Sequence, residues 1–78
     1  MDRQEVQAVV LAVLANVLKC EIDLDTSRLN TPQWDSLKNI EIIFAVEDEL
    51  GLEFSEEELA SLDSVAKIVD FALIVHEA

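Results

Sequence analysis

Asp35-Ser36-Leu37 places a primary hydroxyl where a long amphipathic pattern begins. Helix N-termini leave backbone N–H groups unpaired and carry a partial positive charge, so a serine there is a favourable seat for an anionic group. A first-turn serine is also sterically accessible. No base adjoins Ser36 in sequence, so the chain does not activate that hydroxyl by a neighbour of its own. Asp and Ser are equally favoured at helix starts as plain capping residues, and the tripeptide alone leaves that structural role open.

The other reactive side chains offer less. Cys20 is the sole cysteine, which rules out an intrachain disulfide and fits a reducing, cytosolic setting. With no histidine near it in sequence, it reads as structural rather than as a thioester-bearing thiol. His76 is the single histidine and sits at the end of the sequence, where it reads as a solvated helix-end residue and not as a metal ligand or base. Asp23-Leu24-Asp25-Thr26-Ser27-Arg28 opens like a calcium loop, but Arg28 and Trp34 stand where an EF-hand needs Gly and a bidentate Glu. No Gly-rich phosphate loop, Ser/His/Asp set or basic-aromatic patch is present, so no specific metal site and no catalytic residue is assigned.

Four helices are expected to position these groups. Val6, Val10, Val13, Leu14 and Val17 recur at helical spacing and predict a first helix from Arg3 to Lys19, with Val9, Leu11 and Leu18 widening its apolar face. Residues 20–34 lose that period and collect turn formers, which reads as a long ordered loop pinned by Ile22, Leu24 and Leu29. The second helix is expected over Ser36 to Leu50, ending at Gly51, the only glycine. Its apolar residues Leu37, Ile40, Ile43, Phe44, Val46 and Leu50 span about half the circumference, wider than one packing seam. Ile43, Val46 and Leu50 are assigned to the bundle and Ile40 to the core as well; the Leu37-Ile40-Phe44 edge is the part available for an outside contact. Ser55-Glu56-Glu57-Glu58 carries a capping box for a short third helix ending near Leu62, and Asp63-Ser64 caps a fourth with Val65, Ile68, Val69, Ala72 and Leu73 as its stripe.

Composition agrees with an all-α single domain over residues 1–78. About half the residues are apolar, while one Gly, one Pro and no Tyr disfavour a turn-rich β fold. The net charge is −12, and it is lopsided: residues 1–35 hold six acids and three bases, residues 36–78 eleven acids and two bases. Such a field repels nucleic acid and anionic lipid and steers basic protein surfaces inward. No stretch reaches the ~18 consecutive apolar residues of a membrane span, and the first residues lack the basic start and cleavage site of a signal peptide.

The tract from Trp34 through Leu52, with Asp35-Ser36-Leu37, Ile40, Glu41, Phe44, Glu47, Asp48 and the Leu50-Gly51-Leu52 exit, resembles the modification site and second helix of acyl carrier proteins. With the flanking helices, the resemblance spans the whole chain. It implies an acyl-carrier-like four-helix bundle with three longer helices, a short third one and a long loop between the first two. It also implies a 4′-phosphopantetheine arm on Ser36, flanked by Asp35 and Leu37, donated from coenzyme A by a separate phosphopantetheinyl transferase. The arm's thiol would carry acyl groups as thioesters, making the protein a monomeric carrier and substrate rather than an enzyme. Leu37, Glu41, Phe44, Glu47 and Asp48 would meet basic patches on the transferase and on acyl-ligase, synthase or acyltransferase partners. The resemblance implies service in fatty-acid, polyketide or related specialised biosynthesis; Gln33-Trp34 and Lys38 depart from the fatty-acid-synthesis pattern, and the Thr-Pro-x-Trp-Asp-Ser-Leu form looks more like carriers of specialised pathways. An aminoacyl or peptidyl carrier, or an unmodified acidic interaction module, is the alternative. Trp34 is expected to anchor the loop, with contact to the arm as the other possibility.

Overall fold

The computed structural model describes residues 2–77, apart from the side chains of Glu56, His76 and Glu77. The expectation for the His76 side chain therefore lies outside the described residues. Among the described residues four α-helices follow in order: α1 (Arg3–Leu18), α2 (Ser36–Leu50), α3 (Glu56–Ser61) and α4 (Val65–Glu77), with a 3-10 turn at Arg28–Asn30 inside the first connection. The architecture is all-α, as expected.

Each helix begins and ends on a local device. Asp2 accepts from the Glu5 amide at 2.9 Å to start α1. That helix stops one residue earlier than its apolar period suggests, because Lys19 takes a left-handed conformation with φ 55° and returns its own N–H to the Ala15 carbonyl at 2.9 Å. Gly51 closes α2 in the same way at φ 68°, where glycine has no Cβ to strain. Ser55 and Glu58 form the capping box of α3, at 3.3 Å and 3.2 Å. The Ser64 hydroxyl accepts from the Lys67 amide at 3.2 Å to open α4.

α1 lies against both α2 and α4, and α3 touches α2. Val6, Val10, Val13, Leu14 and Leu18 from α1, Ile42, Ile43 and Val46 from α2, and Val65, Ile68, Val69 and Ala72 from α4 form the core. Trp34, Phe54 and Leu62 from the connections complete it. The Phe54 and Phe71 rings meet edge to face, 5.6 Å between centroids, and tie the α2–α3 connection to α4. Cys20 packs half-buried against this core as a free thiol.

Two expectations need correction. Leu24 is 46% exposed and Leu29 97% exposed, so neither pins the first connection; of the three residues assigned that task, Ile22 alone packs against the core. Hydrogen bonds hold the segment instead. Thr26 is buried, its hydroxyl accepts from the Asp23 amide at 2.9 Å, and its carbonyl accepts from the Val65 amide at 3.0 Å. The Arg28 amide donates to the Asp63 carbonyl at 2.8 Å, which stitches the connection to the start of α4. At that corner a hydrogen bond from Lys67 holds the Asp63 carboxyl below its ordinary range, with the positive charge of Arg28 a lesser contributor.

The second correction concerns the inward face of α2. Ile40 is 42% exposed and does not belong to the core, whereas Ile42 and Asn39 are buried. On a wheel of about 100° per residue, Asn39, Ile42, Ile43 and Val46 centre one arc, and Leu37, Ile40 and Phe44 lie to one side of it. The apolar pattern was a poor guide to direction because a buried polar residue occupies the middle of the seam.

Candidate functional site

Ser36 is the first helical residue of α2 and is exposed, directly after the Asp35 cap. The Asp35 carboxylate accepts from the Lys38 amide at 2.8 Å, and the Asp35 carbonyl accepts from the Asn39 amide at 2.9 Å. The cap therefore consumes the aspartate side chain and leaves the serine hydroxyl outside the helix's own bonding.

The turn is locked from below. Trp34 is 2% exposed, and its indole N–H donates to Asn39 Oδ1 at 2.8 Å. Asn39 Nδ2 in turn donates to the Leu59 carbonyl on α3 at 2.9 Å. One buried amide thus joins the residue two before Ser36, the residue three after it, and the neighbouring helix. Among the described residues no buried side-chain nitrogen or oxygen lacks a partner, as a well-specified interior requires. Trp34 is accordingly an anchor for the connection.

Above the turn, Arg28 Nη2 donates to Ser36 Oγ at 2.7 Å. Arg28, Ser36, Asn39, Ile40, Leu59 and Ala60 line a cleft of about 320 Å³ between α2 and α3. The serine hydroxyl thus opens onto a pocket with one cationic wall, one buried amide and an apolar rim. Other serine hydroxyls are engaged by their own backbone: Ser55 and Ser64 accept from the Glu58 and Lys67 amides, and Ser61 donates to the Glu58 carbonyl at 3.0 Å.

The remaining candidate residues divide. Leu37 is 66% and Phe44 57% exposed, and Glu41 and Asp48 are exposed beside them on the outward face of α2. Glu41 also pairs with Lys38 at 3.3 Å. Glu47 differs from the exposed docking charge expected of it: it is half-buried, and its carboxylate accepts from the Phe54 amide at 2.7 Å across the turn that follows α2. That bond makes it a structural acceptor. Among the described residues no three His, Cys, Asp or Glu side chains gather into a metal site, and no helix is long and apolar enough to cross a membrane.

Two site residues escaped sequence reasoning. Arg28 is eight positions from Ser36 and comes to it through the fold of the connection, with no local signal. Asn39 did leave a signal: an asparagine is a poor interior helix residue, and its place at the centre of an otherwise apolar arc marks it as a buried hydrogen-bonding group.

A 4′-phosphopantetheine arm joined through a phosphodiester needs an accessible hydroxyl, donors for an anion and room beside them. The exposed Ser36 hydroxyl, the α2 N-terminus, the Arg28 guanidinium and the adjoining cleft meet those needs.

The family model described as the phosphopantetheine attachment site matches residues 8–72. Among solved structures, an acyl carrier protein from Thermotoga maritima superposes with a TM-score of 0.79 at 20% identity, over 99% of this chain and 93% of that one. At that identity the likeness is one of fold.

Proposed function

Because this chain belongs to the phosphopantetheine-attachment family, whose cofactor is a covalent 4′-phosphopantetheine, and shares the fold of an acyl carrier protein, we propose that it is an acyl carrier protein, that Ser36 is the residue that bears the arm and that the whole chain works as one carrier domain. The observation that carries this reading is the exposed Ser36 hydroxyl at the head of α2, free of backbone bonding and inside the matched stretch. When bound, the arm supplies a thiol on which an acyl group travels as a thioester.

The chain's own part in loading is small. Ser36 Oγ forms a new bond to the pantetheine-side phosphorus of coenzyme A, the diphosphate bond breaks, adenosine bisphosphate leaves, and the hydroxyl proton passes to a base on the transferase. Asp35 and the Trp34–Asn39 clamp hold the turn still while this happens. The transferase and its divalent cation provide the catalysis, so the protein is substrate and shuttle.

Leu37 and Phe44, exposed alongside the charges of Glu41 and Asp48 on the outward face of α2, form the surface offered to the transferase and to ligases, synthases or acyltransferases with basic patches. Charges at the edge of such an encounter act mainly on association rate, which suits a carrier that must let go. The Trp-Asp-Ser-Leu form of the site favours a specialised acyl pathway over housekeeping fatty-acid synthesis. Incubation with coenzyme A and a broad-specificity transferase should add the mass of one arm to the wild type and none to Ser36→Ala. A wild type left unmodified beside a control carrier that is converted would overturn the proposal.

A further inference from the structure

We infer that Arg28 is the residue that grips the phosphodiester of the arm, so that the carrier holds its prosthetic group by a guanidinium as well as by the covalent bond. The inference rests on the reading of Ser36 as the attachment residue and extends it to a residue outside the motif.

Three observations lead there. Arg28 Nη2 donates to Ser36 Oγ at 2.7 Å, so the serine oxygen is already an acceptor. Esterification removes the hydroxyl proton and keeps the oxygen, which means the contact survives modification. The anionic oxygens of the ester then sit on the phosphorus bonded to that same oxygen, within reach of a guanidinium whose forked donors match phosphate geometry.

Arg28 is also held in place by its backbone. Its amide is bonded to the Asp63 carbonyl at 2.8 Å, and the preceding Ser27 amide donates to Asn30 Oδ1 at 3.0 Å within the 3-10 turn. A half-buried side chain rising from a fixed backbone loses less freedom on gripping an anion than a solvated one does. Finally, among the described residues Arg28 forms no ion pair, whereas Lys38, the other base near the α2 N-terminus, is paired with Glu41. In a chain of net charge −12, a cation beside the serine is the local exception to a field that otherwise disfavours one more negative group.

The arm and the arginine should therefore be coupled. Wild type, Arg28→Gln and Arg28→Lys are converted with transferase and coenzyme A, and intact mass confirms one arm on each. Apo and holo melting temperatures and the phosphorus NMR resonance of each holo form are then compared. In the wild type the arm should raise Tm by about 6 °C or more, the scale of one hydrogen bond to a charged group in a domain this small. In Arg28→Gln that gain should vanish or reverse, since the added charge only joins the self-repulsion, and the phosphorus resonance should move. Arg28→Lys, which keeps the charge but not the fork, should recover part of both.

A merely structural arginine would lower apo and holo stability alike and leave the arm-dependent difference unchanged; that result overturns the inference. Within the wild type, the Arg28 Nε–H resonance should shift between apo and holo forms, and a resonance that stays put also overturns it. Failure to load the wild type appears earlier, at the mass step, and marks failure of the Ser36 reading itself.

Discussion

At the scale of single residues, the site depends on a buried asparagine whose side chain bonds to Trp34 and Leu59 and not to the reactive hydroxyl. Asn39→Leu would leave the buried Trp34 indole N–H and the Leu59 carbonyl without partners. The buried indole donor left unpaired costs about 1–3 kcal/mol and the half-buried Leu59 carbonyl less, so the variant should lose at least about 1 kcal/mol, or roughly 4 °C or more of Tm in a domain this small. The transferase should also load it more slowly, because the turn bearing Ser36 loses its lower clamp. A Tm within about a degree of wild type would show that the clamp does not hold this turn. Ser36→Ala stands in contrast. It removes one contact with a half-buried arginine at an exposed position, and its stability should stay within about 0.5 kcal/mol of wild type.

At the scale of elements, α2 separates docking from folding along its length. Glu41 and Asp48 are exposed, so Glu41→Lys and Asp48→Lys should slow transferase encounter while the helices stay folded, and Asp48→Lys, which relieves repulsion in the acidic half, should not lower Tm. Glu47→Lys should behave differently. It takes away the acceptor of the Phe54 amide and should cost about 1.5–3 kcal/mol, the usual worth of a hydrogen bond to a charged group; Glu47→Gln, which keeps an acceptor, should recover much of that. Equal melting temperatures for Glu47→Lys and Asp48→Lys would contradict this division. The sequence told where α2 starts and stops because its caps, Asp35 and Gly51, are local chemistry acting within one turn. It did not tell which way α2 faces. That direction is set by Trp34 below and Leu59 across from it, partners that meet Asn39 only after folding, and so apolar spacing alone points Ile40 inward and passes over Ile42. The first connection shows in the sequence as a loss of helical period, but of Ile22, Leu24 and Leu29 only Ile22 packs on the core, and the backbone and Thr26 supply the other ties. Arg28 was invisible as a site residue for the same reason: its approach to Ser36 follows from bonds between the connection and the start of α4.

At the scale of the whole molecule, the net charge of −12 and its concentration in residues 36–78 should make stability depend on salt. Between about 0.01 and 0.15 M monovalent salt the screening length falls from about 30 to about 8 Å, and the apo protein should gain several degrees of Tm. A transition that ignores salt would show that self-repulsion does not limit this fold. The same screening should slow loading by the transferase, so stability and association rate should move in opposite directions. Central to the whole account is the claim that one hydroxyl among five serines carries the arm. The most direct test is fragmentation mass spectrometry of the intact holo protein, which assigns the added group to a position in the chain. All of it should be found on Ser36; an arm on Ser27, Ser55, Ser61 or Ser64, or none at all, would contradict the account.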